Sequence, residues 1–162
     1  MNWGAVDAVA GALAALFVAL SVVYLAIQVK SGTRATRSQT YYLATTALAD
    51  QAATIGSNRE ASRVLRIGYE TPEALTEDER VQFGYLVISF LRRYENIFFQ
   101  YESGLIDEDF WDGHRENLLW VYRRPAVQHL WEDRKHSFSM SFREYLERSD
   151  AIELATPESR SL

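Results

Sequence analysis

The hydrophobic pattern divides the chain into an uncharged N-terminal run and a longer amphipathic remainder. Residues 8–29, AVAGALAALFVALSVVYLAIQV, contain no charged side chain, and only Ser21, Tyr24 and Gln28 among them carry polar side-chain atoms. As a helix, this run would extend about 33 Å, which is enough to cross a hydrocarbon core of about 30 Å. A soluble helix of this length normally has one polar face, which this run lacks. The pattern therefore predicts a transmembrane anchor over residues 1–30.

The charges beside this run predict its orientation. Lys30, Arg34 and Arg37 follow the run, whereas no basic side chain precedes it. Because cytoplasmic flanks of membrane helices are rich in Lys and Arg, we expect the N-terminus outside and the remainder of the chain in the cytoplasm. A cleaved secretory signal would carry a basic residue before the run, where Asp7 is the charged residue present. We therefore expect a single-pass protein of the cell inner membrane.

Small side chains recur along the predicted span at four-residue steps: Gly11, Ala15 and Ala19. Such steps let two helix backbones approach closely, so the spacing predicts a helix–helix interface at these three positions. Asp7, Ser21 and Gln28 share one side of the same helix, and polar groups in a membrane tend to face a partner helix or a water-filled path. The span therefore predicts self-association and leaves a pore-lining role open.

Beyond the span, three- and four-residue hydrophobic spacing predicts an all-α fold without a sheet. Residues 31–56 read as a juxtamembrane helix that continues the membrane helix with a bend or break near Gly32 and stops at Gly56. Residues 57–154 read as one compact, aromatic-rich cytoplasmic helical domain. From residue 155 the composition turns to Thr, Pro, Ser and Glu, so residues 155–162 are predicted to form a flexible tail.

Capping boxes and chain breakers predict the helix limits of the domain. The capping boxes are Ser57–Glu60, Thr76–Glu79 and Ser141–Glu144. The first helix is expected to end near Gly68, and a later one to begin at Asp107 and stop before Pro125. The strongest helix is predicted over 77–102, with a core face that contains Phe83, Val87, Phe90, Tyr94, Ile97 and Tyr101.

Charge and composition narrow the class of protein. The first 53 residues hold three basic and two acidic side chains, so residues 54–162 hold 14 basic and 20 acidic ones and a formal charge of −6. An acidic domain argues against nucleic acid as a partner. Eighteen of the 21 aromatic residues follow residue 30, and most of them are expected in the domain core. The chain has no cysteine, so no thiol chemistry is possible.

A polar cluster on the strongest predicted helix is the first candidate site. It comprises Arg92, Arg93, Glu95, Asn96 and Gln100. Helical spacing lets Arg92 reach Glu95 and Asn96, and lets Asn96 reach Gln100. Such a cluster is either a hydrogen-bonded network that fixes packing against the following helix, or a binding surface. General acid–base catalysis would need a convergent partner from elsewhere in the chain, and the sequence places none.

A second candidate lies further along the chain. On a helix, His129, Glu132 and His136 would share one face, and imidazole and carboxylate groups together can bind zinc or iron. The spacing matches no established metal signature, and surface histidines paired with carboxylates are far more common. The sequence therefore indicates no metal and no cofactor, although a metal protein remains an alternative.

The order of several motifs resembles a family. The motifs are Trp3-Gly4, Tyr24–Lys30, Arg93-Tyr94-Glu95-Asn96, Gln100-Tyr101, Gly104–Asp107, Trp111, Pro125, Trp131 and Phe138. This order is similar to a group of short, uncharacterised bacterial proteins with one N-terminal membrane helix and a helical cytoplasmic domain. The resemblance implies that architecture and no particular activity. It singles out Glu95, Asn96, Gln100 and Tyr101 as a functional surface or as fold determinants.

Three functional hypotheses follow from these patterns. The first is a non-enzymatic interaction or scaffold module, anchored in the lipid bilayer, that forms a homo-oligomer or holds a membrane-protein partner. The alternative is a small oligomeric channel or a transport accessory subunit. The second alternative is an enzyme or metal protein that uses Glu95 or the region of His129 and His136.

Overall fold

The computed structural model describes the backbone of residues 3–154 and the side chains of residues 11, 13 and 16–149. These residues form six α-helices and two 3-10 helices, and the described part of the chain contains no strand. The α-helices are α1 (Trp3–Ser57), α2 (Arg59–Glu70), α3 (Glu77–Glu102), α4 (Glu108–Tyr122), α5 (Pro125–Arg134) and α6 (Met140–Leu154). The 3-10 helices are Pro72–Ala74 and Lys135–Ser137. The predicted all-α fold is confirmed.

The chain divides into two compact units, Met1–Gln39 and Thr40–Leu162. In the first unit every described side chain is exposed, including those of Phe17 (68%) and Ile27 (62%). Within the described residues, one helix, α1, is long and apolar enough to cross a membrane. The most apolar part of this helix has no buried residue, unlike the core helix of a soluble protein. The predicted tail, residues 155–162, lies outside the described residues.

Of the predicted bend or break near Gly32, the break is wrong, because α1 stays helical from Trp3 to Ser57. The hydroxyl of Thr33 donates to the carbonyl oxygen of Val29 at 3.0 Å. The hydroxyl of Thr36 donates to the carbonyl oxygen of Gly32 at 3.0 Å. A glycine inside a helix costs only about 1 kcal/mol relative to alanine. That cost does not interrupt a helix without proline, and α1 continues to one residue beyond Gly56.

Two of the three predicted capping boxes are displaced. Asn58, not Ser57, caps α2, and its Oδ1 accepts the amide hydrogens of Glu60 at 3.0 Å and Ala61 at 3.1 Å. Ser57 is still helical, so its hydroxyl donates back to the carbonyl of Thr54. An asparagine cap is as favourable as a serine cap, and the end of α1 decides which one is used.

The last predicted box is also misplaced. α6 begins at Met140, so Ser141 lies inside its first turn. The amide of Arg143 donates to the carbonyl of Ser139 at 3.1 Å, which places the start of the helix before the predicted one. The backbone at Ser139 is held from outside this segment by a carboxylate of α3, described below. Glu95 and Ser139 are 44 residues apart in sequence, so no local sequence pattern predicts their contact.

The signals around α3 predict its limits correctly. The Thr76 hydroxyl accepts from the amide of Glu79 at 3.3 Å, and the Glu79 carboxylate accepts from the amide of Thr76 at 2.8 Å. At the other end the chain turns at Gly104, whose φ of 69° favours glycine. Asp107 caps α4, and Pro125 is the first residue of α5. Local hydrogen bonds and backbone preferences are sufficient at these positions.

α2 ends at Glu70, two residues beyond the predicted end at Gly68. A β-carbon at Gly68 would lie 2.3 Å from the Phe83 ring, so this glycine lets α2 approach α3. The glycine therefore serves helix packing and does not terminate the helix.

Aromatic side chains dominate the core of the second unit, as the composition predicts. Phe98 of α3 lies within 5.7 Å, between ring centroids, of Trp111, Phe142 and Tyr145. The largest fully buried side chains are Trp111, Trp131, Tyr94, Phe142, Leu91, Ile97, Leu118 and Leu146. These contacts join α3, α4 and α6, and α3 supplies the central face.

Candidate functional site

The polar cluster on α3 first contacts the segment between α5 and α6. Arg92 and Glu95 form an ion pair with a Nη1–Oε2 distance of 2.6 Å. The second carboxylate oxygen of Glu95 accepts the amide hydrogen of Ser139 at 2.6 Å. Nη2 of Arg92 donates to the carbonyl of Ser137 at 2.6 Å, and the guanidinium lies 4.1 Å from the ring centroid of Phe138. We call Arg92 and Glu95 the α3 clamp, because together they hold residues 137–139.

The electrostatics of the α3 clamp favour the ionised carboxylate. The side chain of Glu95 is 16% exposed. This partial burial opposes ionisation, but the hydrogen bonds from Ser139 and Arg92 outweigh it, so the pKa of Glu95 lies below its ordinary value. One alternative from the sequence is that this network fixes packing against the following helix, α4. The contacts of Arg92 and Glu95 are instead with residues 137–139.

The other members of the cluster line a different surface. Nη1 of Arg93 donates to the carbonyl of Ala47 at 2.6 Å and so joins α3 to the last part of α1. The amide of Gln100 donates to Oδ1 of Asn96 at 2.6 Å. These three side chains, together with that of Arg92, border an open groove of about 640 Å³ between α1 and α3. Oε1 of Gln100 is buried and has no hydrogen-bond partner among the residues that the structure describes.

Tyr101 lies in a third environment. Its ring stacks on that of Trp111, with centroids 5.5 Å apart and planes inclined by 16°. The side chain is half-buried against the core. Of the predicted residues, Arg92 and Glu95 thus form the clamp, Arg92, Asn96 and Gln100 border one groove, and Tyr101 packs against the core.

The predicted histidine face is not formed. α5 ends at Arg134, and His136 lies in the following 3-10 helix, so the seven-residue helical spacing from His129 is lost. The carboxylate of Glu132 pairs with Lys135 at 2.9 Å instead. Among the described residues, no group of three or more His, Asp or Glu side chains is arranged to hold a metal ion.

The polar side chains of the predicted span bond within their own helix. The hydroxyl of Ser21 donates to the carbonyl of Phe17 at 2.8 Å, and the amide of Gln28 donates to the hydroxyl of Tyr24 at 2.7 Å. Gly11 and Ala19 are exposed, and among the described residues a β-carbon at Gly11 would have no neighbour within 4 Å. The side chains of Asp7 and Ala15 lie outside the described residues.

A surface that the sequence did not single out lies between α3 and α5. Two adjoining cavities of about 510 and 500 Å³ share Arg80, Gly84 and Leu130. We call them together the α3–α5 groove. Val81 and Tyr85 border it and expose 57% and 74% of their surface. Most of the surface that lines this depression is apolar.

The sequence contained a signal for this groove. Val81, Tyr85 and Ile88 follow each other at four- and three-residue steps, and therefore share one face of α3. The core face is a second stripe on the same helix, and it includes Phe83 and Val87. A helix with two apolar stripes needs a covering surface for each stripe, and α5 covers the stripe of Val81, Tyr85 and Ile88 only in part.

No family model, curated protein or solved structure matches the chain. Neither a family nor an activity is therefore transferred from another protein.

Proposed function

We propose that this protein is a membrane-anchored helical module that binds other proteins. The observation that carries the proposal is the first unit, in which a long apolar helix has every described side chain exposed. In water, apolar surface of this extent would drive association or aggregation, whereas a bilayer solvates it. The lipid bilayer is thus the first partner in the proposal.

The proposed location is the cell inner membrane, with the N-terminus outside and the helical domain in the cytoplasm. Lys30, Arg34 and Arg37 support this orientation, since they follow the apolar run. The bacterial group that the chain resembles has the same arrangement of one N-terminal membrane helix and a helical cytoplasmic domain. Membership of that group is part of the proposal.

An interaction role is supported by the surface of the domain. The large apolar side chains that it exposes include Val81, Tyr85, Phe99, Trp120 and Met140. Val81 and Tyr85 lie together at the α3–α5 groove, whereas single exposed apolar residues are ordinary on protein surfaces. Grouping beside a groove is the arrangement expected of a docking surface.

Self-association through the span belongs to the same proposal. Gly11, Ala15 and Ala19 give the helix a narrow face at which a second helix can pack closely. The proposed oligomer is either a homo-oligomer or a pair with another membrane protein.

The anchor is tested by fractionation of cells that express the full chain. We expect the protein to stay in the membrane pellet after extraction with alkaline carbonate. A reporter that is active only in the cytoplasm should be active at the C-terminus and inactive at the N-terminus. Release of the protein by carbonate would contradict the anchor, and the opposite reporter pattern would contradict the orientation.

Self-association is tested by crosslinking in membranes. We expect Gly11→Leu to reduce the crosslinked dimer, because the larger side chain separates the backbones. Gly32→Leu is the matched control, since Gly32 lies on the same helix beyond the apolar run and a β-carbon there has no neighbour within 4 Å. Monomers alone in the unchanged protein would refute the oligomer.

A further inference from the structure

The α3–α5 groove has apolar walls on both sides. α3 contributes Val81, Tyr85 and Ile88 along one wall, and Leu130 of α5 faces them. From Val81 to Ile88 the wall extends about 10 Å, or two helical turns. This length and the i, i+4, i+7 spacing match the surface with which a short amphipathic helix is bound.

Gly84 keeps this groove open. A glycine in the middle of a helix costs about 1 kcal/mol relative to alanine, so its presence in α3 calls for a reason. Packing within the domain does not supply one, because a β-carbon at Gly84 would lie 3.7 Å from Leu130, an ordinary van der Waals distance. Gly68 is the opposite case, since its β-carbon would overlap the Phe83 ring. The absent side chain at Gly84 leaves space in the groove and gives no closer packing inside the domain.

The charges at one end of the groove are basic. Arg80 and Arg134 are the charged residues that line the cavity beside Val81 and Tyr85. Arg80 donates to the carbonyl of Leu75 at 3.1 Å. Among the described residues, neither guanidinium has a carboxylate within ion-pair distance. Two arginines without acidic partners are unexpected in a domain whose formal charge is −6, and they favour a negatively charged occupant.

The other end of the groove is mixed in charge. Glu73 and Asp133 line the adjoining cavity, together with Arg80 and His129. A uniformly acidic occupant would meet repulsion there. The carboxylates of the occupant are therefore expected beside Arg80 and Arg134, and its apolar or uncharged residues beside Glu73 and Asp133.

We propose that the α3–α5 groove binds an acidic amphipathic helix of a partner protein. Apolar side chains of that helix, spaced i, i+3 or i+4 and i+7, pack against Val81, Tyr85 and Leu130, and its Asp or Glu residues pair with Arg80 and Arg134. This inference rests on the proposed function, because it names the kind of partner that the anchored module holds.

The test is a selection of helical peptides from a random displayed library against the full chain in detergent. Peptides that also bind detergent micelles without the protein are removed by counter-selection. We expect the enriched sequences to carry apolar residues at helical spacing, with Asp or Glu beside them at one end. Their affinity is then measured by fluorescence anisotropy at low and high salt.

Two groups of variants locate the binding site. Gly84→Leu, which fills the groove, and the double variant Arg80→Glu with Arg134→Glu should each weaken binding about tenfold or more. Gly113→Leu is the matched control, because Gly113 is also a helical glycine, lies in α4, and has no neighbour within 4 Å of its β-carbon position. It should leave the affinity unchanged. If thermal melting shows that Gly84→Leu is unfolded, the arginine variant provides the test, since both arginines are exposed.

Several results would overturn the proposal. These are a selection without enriched peptides, enrichment of basic or uncharged peptides, and binding that persists in both groups of variants. If oligomers of the full chain dissociate on Gly84→Leu, the groove is occupied by a second copy and the proposal is wrong. Because binding is measured in detergent and the anchor by carbonate extraction, failure of one proposal is distinguished from failure of the other.

Discussion

Leu20 and Leu43 lie on the same helix, α1, and expose nearly the same fraction of their surface, 58% and 55%. They belong to different units, and their neighbours differ. Around Leu20 all described side chains are exposed and apolar residues predominate, whereas Leu43 precedes Ala44, which is buried to 3% exposure. The exposure of one leucine therefore says little about the solvent it meets. The exposure of the neighbouring side chains is what distinguishes a lipid-facing position from a water-facing one.

The two units use apolar residues in opposite ways. In the first unit all the described ones are exposed, and in the proposed anchor lipid is their solvent. In the second they point inward, and aromatic rings such as Trp111, Trp131 and Phe142 exclude water. Four predictions follow in order of decreasing expected effect: the first two compare the units, and the last two compare positions within the second unit.

The largest effect is expected from truncating a buried ring. Phe142 is fully buried, so Phe142→Ala should lower the free energy of unfolding of the domain by about 3–5 kcal/mol. Phe17→Ala is the control, since Phe17 is 68% exposed in the first unit and should leave this value nearly unchanged. Urea denaturation in detergent, followed by tryptophan fluorescence, measures both. Equal losses would remove the distinction between the units.

The leucine pair tests the solvent directly. Leu20→Arg should oppose membrane insertion by about 3 kcal/mol, because a guanidinium at the centre of a span is poorly solvated. Leu43→Arg should change neither insertion nor, beyond about 0.5 kcal/mol, the stability of the domain. Membrane fractionation of the two variants measures insertion. Retention of Leu20→Arg in the membrane at the unchanged level would contradict the proposed span.

The glycines Gly68 and Gly84 sharpen the comparison within the domain. Gly68→Ala should destabilise the domain by about 1–3 kcal/mol, because the new methyl group would overlap the ring of Phe83. Gly84→Ala should stabilise it by up to about 1 kcal/mol, because the methyl group has room and alanine favours the helix. Thermal melting of both variants measures whether each change in stability is a loss or a gain. A destabilising Gly84→Ala would show that this glycine serves internal packing.

The smallest effect concerns pH. The pKa of Glu95 lies below its ordinary value of 4.5, so the α3 clamp contributes its stabilisation above that value and loses it as the pH falls through the lowered pKa. Glu95→Gln should cost about 1 kcal/mol at neutral pH. It should also flatten the acid side of the stability profile. Urea denaturation between neutral and acidic pH measures this slope, and parallel profiles for the two chains would contradict a role for the carboxylate charge.

Local signals predicted much of the fold. The reciprocal hydrogen bonds of Thr76 and Glu79 and the glycine at position 104 fix the ends of α3 within a few residues of sequence. Asp107 and Pro125 act in the same local way. The apolar run before Lys30 likewise requires no tertiary information, because its composition alone separates it from an amphipathic helix.

The candidate sites were less predictable. Helical spacing correctly joined Arg92 to Glu95, but it gave no indication that both would hold residues 137–139. It grouped Asn96 and Gln100 with them, and of the pair Arg92 and Glu95 only Arg92 also lines the groove that Asn96 and Gln100 border. Spacing along one helix predicts which side chains are neighbours, and it does not predict which other element they meet.

The sequence by itself determined the helical class, the exposed apolar segment and the caps of α3 and α4, because these depend on composition and on contacts within one or two turns. Only the tertiary structure decided that Asn58 caps α2, that α6 begins at Met140, and that Gly84 opens a groove beside α5. Those outcomes depend on packing between helices far apart in sequence. When local alternatives differ by about 1 kcal/mol or less, such packing selects among them.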